Sequence, residues 1–262
     1  MGRALWARLF FVLKALLETL RFESLTAIWV LFVALAQSPC AAHSASLAAA
    51  AERAAVFDLK GATTRLADGI AACPETAAAY WYLHGLIAAR EAYRFGGSPE
   101  SLEPVKRAMA ELEPRARELP TAEIARVLLQ AAASAAQSER EEMGLFLEYA
   151  LALEGKARSA NQGGAPIVSA YEVAGDLWLQ VHRFDDAQRA YVTAAERVGS
   201  TRRVTLGLAR SAFRLGALPK ACEQYRILVS GWPKEGGDPP EASEAQAFLR
   251  RPECRNPSAS AR

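Results

Sequence analysis

The residue types that usually carry chemistry are few in this chain, and their spacing is unhelpful to catalysis. There are three histidines, His43, His84 and His182, with no nearby acid and nucleophile in a usable order. His43 stands at the start of a helical stretch, His84 takes a small-or-apolar packing slot, and His182 ends a helix where a positive charge suits the dipole. Glu139-Arg-Glu-Glu142 has the composition of an exposed first helical turn rather than of a paired-carboxylate site. Gly96-Gly97 and Gly163-Gly164 lack a following Gly-Lys-Ser/Thr, so they are loops and not phosphate cradles. The four cysteines form no C-x-x-C and no Cys/His cluster with zinc spacing. The chain is therefore expected to be no enzyme, with no catalytic residue, no cofactor, no metal and no small-molecule substrate.

Bulk composition narrows the remaining classes. The hydrophobic fraction is 51%, much of it alanine, which costs least in a helix, while the branched residues that suit pleated sheet are sparse. Net charge is +2, from 31 basic and 29 acidic residues, and outside residues 1–36 the two signs balance at 27 each. A nucleic-acid partner is not expected, because no face carries the required positive excess.

The elements that position everything else repeat every 34 residues. Tyr171, Ala174, Gly175, Trp178, Phe184, Ala187, Tyr191, Ala194 and Gly199 align with Thr205, Leu208, Ala209, Ala212, Leu218, Ala221, Tyr225, Leu228 and Pro233. A further copy stands at Ala49-Ala50, Leu59, Ala62, Leu66, Gly69 and Pro74, and Trp81-Tyr-Leu-His-Gly85 opens another. Periodicity alone gives paired helices: 44–74, 78–118, 121–155, 168–199 and 201–233, then a short capping helix at 241–250. Phe95-Gly-Gly-Ser-Pro99 displaces the second helix of the 78–118 pair, and Pro104 and Pro114 predict that this helix is short or irregular. Leu145, Tyr149 and Leu153 form a stripe at i, i+4 and i+8, and 256–262 is expected to be a disordered tail.

These spacings resemble the tetratricopeptide repeat, most specifically over 168–233, fairly over 44–94 and weakly over 95–155. The resemblance implies an all-α, right-handed superhelical solenoid of about five antiparallel helix pairs with a cap, spanning 44–251. It also implies a concave groove lined by the first helix of each pair. Projected onto this chain, that lining holds Glu172, Asp176, Leu179 and Gln180 from one repeat and Arg203, Leu206, Arg210, Phe213 and Arg214 from the next. Such a groove would hold an extended or helical segment of a partner protein; the alternative is a solvated face of internal ion pairs. Tyr80, Tyr82 and Tyr93 form a lesser aromatic candidate, for binding or for packing.

Cysteine placement on the helix pairs suggests two cross-links. Cys40 precedes the first helix of its hairpin and Cys73 closes the second; Cys222 and Cys254 occupy corresponding neighbouring ends. Disulfides Cys40–Cys73 and Cys222–Cys254 would each stabilise by roughly 3–4 kcal/mol, with unpaired structural thiols as the alternative.

The N-terminus points to the compartment where such bonds persist. Ser24–Ala51 contains no charged residue, and Leu25–Ala36 is an apolar run of signal-peptide length ending in the small-x-small pattern Ala34-Leu35-Ala36. A second acceptable site is Cys40-Ala41-Ala42. Residues 1–36 are expected to be a cleaved signal peptide, with an uncleaved inner-membrane anchor or a buried helix as alternatives. Gln37-Ser38-Pro39 does not suit lipidation of Cys40. The expected protein is exported, periplasmic or extracellular, touching membrane only through its N-terminal segment. It is a protein-binding scaffold or, alternatively, a structural subunit of a larger envelope or secretion assembly.

Overall fold

The computed structural model describes Cys40 and residues 43–55, 57–160, 165–232 and 240–255. The expected signal segment 1–36 and tail 256–262 lie outside the described residues. Met1–Ala42 and His43–Arg262 are separate compact units, and the architecture below is that of the second.

Every element among the described residues is helical: α1 (Ser44–Ala55), α2 (Leu59–Leu66, prolonged by a 3-10 turn Ala67–Gly69), α3 (Pro74–Arg94), α4 (Pro99–Ala116), α5 (Pro120–Ala136), α6 (Arg140–Ser159), α7 (Ala170–Gln180), α8 (Phe184–Val198), α9 (Arg202–Arg214), α10 (Leu218–Ser230), α11 (Pro240–Leu249) and α12 (Pro252–Arg255). Proline opens α3, α4 and α5 in the first turn, where its missing N–H and fixed φ cost nothing. Ser98, Ser169 and Thr201 cap α4, α7 and α9 by accepting backbone N–H bonds on their hydroxyls.

Sequential helices pack on each other from α1 onward, and α3, α5, α7 and α9 also pack directly, each on the next in that series. The joint between α1 and α2 recurs between α5 and α6, α7 and α8, and α9 and α10. In each a left-handed residue follows the first helix: Phe57 (φ 66°), Ser138 (φ 66°), His182 (φ 63°) or Gly216 (φ 76°). The residue after it then donates its N–H back across the last turn, as Asp58 does to Arg53 O at 3.0 Å and Arg183 to Trp178 O at 2.9 Å. A conformation costing an L-residue about 1–2 kcal/mol is thus kept at three joints without glycine, and the hairpin geometry depends on it.

The core is small side chains around a few large ones. Tyr82, Tyr191 and Tyr225 are fully buried, as are Leu66, Leu83, Leu112, Leu128 and Leu129. Glu154 of α6 is also fully buried; it accepts Ser169 Oγ at 2.7 Å and the Ala170 N–H at 2.6 Å, and pairs with Arg158 at 2.8 Å. That carboxylate anchors the N-terminus of α7 and thereby fixes where the next hairpin begins.

Two expectations are corrected. The α4 helix is continuous for 18 residues despite Pro104 and Pro114. Both prolines face solvent, where carbonyls left without a donor are hydrated, while Leu102, Val105, Ala108 and Leu112 bury the opposite face. Packing outweighs the two lost bonds. The stripe on α6 is not its core face: Leu145 and Tyr149 are exposed, and Met143, Leu147 and Ala150 are buried instead.

Candidate binding groove

The first-helix face encloses a cavity of about 380 Å3, within the range typical of ligand sites. Its walls come from consecutive first helices: Leu86, Arg90 and Tyr93 of α3, Ala132 of α5, Asp176 and Leu179 of α7, and Arg203 and Arg210 of α9. One end is closed where α3 and α7 finish together, the Tyr93 hydroxyl donating to the Gln180 carbonyl at 2.7 Å. Across the wall, Phe57 from the first joint lies parallel to Trp232, with centroids 6.4 Å apart and planes 4° apart. The Arg203 guanidinium sits 5.1 Å from the Phe57 ring centroid. A bulky residue in a left-handed conformation, held between an arginine and a tryptophan near the far end of the unit, is strain stored where the surroundings enforce it.

A second cavity of about 500 Å3 adjoins the first through Leu179 and Arg210, and is lined by Phe184, Phe213, Arg214 and the α11 residues Glu244 and Phe248. Arg214 lies over the Phe184 ring at 5.8 Å, and Phe213 meets Phe248 edge-on at 5.0 Å.

The structure brings seven of the nine groove residues expected from sequence to these two cavities: Asp176, Leu179, Gln180, Arg203, Arg210, Phe213 and Arg214. Two expectations need correction. Leu206 is 1% exposed in the core beneath the groove, packed with Tyr225 and Phe248. Glu172 is turned inward as the capping-box acid of α7: it accepts the Ser169 N–H at 3.2 Å and the Thr201 hydroxyl at 2.6 Å, so it joins the starts of α7 and α9.

The charges within the cavities are partly spent. Asp176 binds Arg203 at 2.7 Å and accepts the Tyr191 hydroxyl at 2.6 Å. Burial disfavours the Arg203 charge, but the Asp176 and Glu172 carboxylates more than offset this and hold its proton more firmly. Glu244 receives Arg210 through two bonds, at 2.9 and 2.5 Å, and the Tyr225 hydroxyl at 2.8 Å. Half-burial pushes the Glu244 carboxyl up, yet the Arg210 and Tyr225 bonds prevail and leave it below the usual range. The Tyr191 phenol is driven well above its ordinary value by burial and by Asp176. By contrast Arg90 and Arg94, one turn apart on α3, are exposed and form no ion pair among the described residues. Sequence reading missed this pair; projecting the repeat with Trp81 on Tyr171 places Arg90 at the position of Gln180, but Arg94 falls beyond the first helix of the repeat, in the extra turn of α3.

Of the other aromatic candidates, Tyr82 is buried and donates to the Val168 carbonyl at 2.9 Å. Tyr80 stacks on His84 at 6.0 Å, and Trp81 meets both rings edge-on. Tyr93 alone of the three faces the groove. Cys222 and Cys254 are disulfide-bonded, with Cα atoms 5.4 Å apart, and no cysteine of the chain is a free thiol. Such bonds persist in oxidising compartments. Among the described residues no helix is long and apolar enough to cross a membrane.

No family model, no curated protein and no solved structure matches this chain.

Proposed function

We propose that the chain is a non-enzymatic, tetratricopeptide-like helix-pair solenoid of the cell envelope that holds a segment of a partner protein along the face of its first helices. The observation that carries this reading is the cavity whose walls come from α3, α5, α7 and α9 in succession, apolar at Leu86, Ala132 and Leu179 and rimmed by Arg90 and Arg94. Stacked hairpins that share one left-handed joint support the solenoid, because repetition of a single supersecondary unit builds a continuous surface on one side. The disulfide-bonded cysteines support an exported location, and the cleaved signal 1–36 remains part of the reading.

A photo-crosslinking side chain at Leu179, compared with one at Leu145 on the outer face of α6, tests it in the native envelope. A discrete protein adduct at position 179 and none at 145 is expected. Equal labelling at both, or none at 179, would overturn the groove. The exposed Leu145 and Tyr149 favour one second reading, a structural subunit docked through its outer face. An adduct at 145 alone would point there.

A further inference from the structure

We propose that the occupant of the α3–α7 cavity is an extended segment of alternating acidic and aliphatic residues, its side-chain carboxylates bound by Arg90 and Arg94 and its aliphatic side chains set against Leu179. This rests on the cavity being a protein-binding groove and adds the chemistry of what it binds.

The charges give the first part. Four guanidiniums line this cavity against the carboxylates of Asp176 and Glu241. Arg203 is committed to Asp176 and Arg210 to Glu244, which leaves the two guanidiniums of Arg90 and Arg94 against the single carboxylate of Glu241 and the cavity with a net positive charge still to be balanced. Guanidinium forks of this kind favour planar carboxylates.

The spacing gives the second part. Residues i and i+4 of a helix are offset along its axis by about 6 Å. In an extended chain, side chains i and i+2 share a face and are about 6.6 Å apart. An acidic-x-acidic stretch therefore meets both arginines in register, and the intervening residue points to the opposite wall. That wall is α7, where Leu179 is half-buried and Leu177 lies behind it. The Tyr93–Gln180 bond ties the two walls at one end and holds their separation. A helical occupant, about 10–12 Å across with its side chains, is too wide for the end at which the 2.7 Å Tyr93–Gln180 bond joins the two walls.

Fluorescence anisotropy with three nine-residue peptides, acetylated and amidated so that no terminal charge remains, tests the assignment: alternating Asp/Leu, Asn/Leu and Lys/Leu. The Asp/Leu peptide should bind the wild-type chain at least tenfold more tightly than the Asn/Leu peptide, and more weakly as salt rises. The R90E/R94E variant should lose at least tenfold for Asp/Leu and gain affinity for Lys/Leu, a reversal that a merely structural role would not produce. R90Q/R94Q serves where the charge reversal fails to fold, and should lose the preference for Asp/Leu without gaining Lys/Leu. Equal binding of Asp/Leu and Asn/Leu would overturn the acidic assignment while leaving the groove reading intact. Binding of none of the three would overturn both.

Discussion

Gly207 leaves room for the ring of Tyr191: a Cβ built at Gly207 would lie 2.1 Å from its Cζ, and one built at Gly175 would lie 2.4 Å from its Cε1. Two first helices thus approach a second-helix tyrosine through glycine alone, and the phenol is pinned there by its 2.6 Å bond to Asp176. Gly207→Ala should destabilise by about 1–3 kcal/mol, the usual cost of overpacking, despite alanine's better helix propensity. In a Tyr191→Leu background the same change should cost almost nothing. Urea unfolding of the four variants reads the coupling; additive losses would mean that the ring is not what the glycine accommodates.

Glu244 sets an acid limit on the capping helix. Its carboxyl titrates lower in the folded chain than in the unfolded one, so its contribution is present above the unfolded value of about 4.3 and is lost as pH falls through the folded value. Half-exposed pairs of this kind contribute about 1 kcal/mol or less. Glu244→Gln should therefore unfold more easily than wild type at pH 6, with the two curves converging near pH 3. A constant gap across that range would show that charge is not the cause.

The cluster of Arg210, Glu244 and Tyr225 marks where the sequence ceases to be legible. Hairpin boundaries were legible because apolar period, glycine and proline are local signals, and the 34-residue repetition of Ala187/Ala221 and Tyr191/Tyr225 set the register. The side on which Leu206 falls was not legible: it depends on α11 returning across α9, and that return follows 233–239, a stretch with no repeat to project. For the same reason Arg210 read as a free groove charge, although Glu244, 34 residues on, pairs with it. Its reversal to Glu would set two carboxylates beside the Tyr225 hydroxyl and should loosen the cap, contrary to the neutral effect expected of an exposed charge. Glu172 was misplaced by a different cause, since a capping-box acid and a groove acid occupy the same helical face one turn apart.

Leu206 tests that correction directly. As a groove residue it would tolerate truncation; as a side chain beneath Tyr225 and Phe248 it should lose about 2–5 kcal/mol on Leu206→Ala. Thermal unfolding followed by circular dichroism decides, and an unchanged midpoint would return Leu206 to the surface.

The disulfide between Cys222 and Cys254 closes a 32-residue span and ties α12 to α10, helped by Arg226, which donates to the Cys254 carbonyl. Replacing both cysteines by serine should cost about 3–4 kcal/mol in the chain-entropy account. The loss should be local before it is global: amide exchange should accelerate in α11 and α12 while α3 to α5 stay protected. Uniform acceleration along the chain would instead make the cap part of one cooperative unit.

Two left-handed residues at equivalent joints separate backbone cost from side-chain contact. His182 and Phe57 share φ within a few degrees, at 63° and 66°. His182 is exposed and meets the Phe184 ring nearly at right angles with centroids 5.7 Å apart, so His182→Gly removes about 1–2 kcal/mol of left-handed strain for about 0.5–1 kcal/mol of added chain entropy. A net gain of up to about 1 kcal/mol is expected. Phe57→Gly relieves the same strain but deletes a ring stacked on Trp232 and lying beneath Arg203, contacts worth about 0.5–1.5 and 0.5–1 kcal/mol beyond buried area. Adding the half-buried ring's transfer free energy makes a net loss of about 1–2 kcal/mol. Opposite signs in denaturant midpoints would establish that Phe57 is held in its strained conformation by the groove's far wall. Equal gains would show that the ring contributes nothing there, and that the joint alone dictates its backbone.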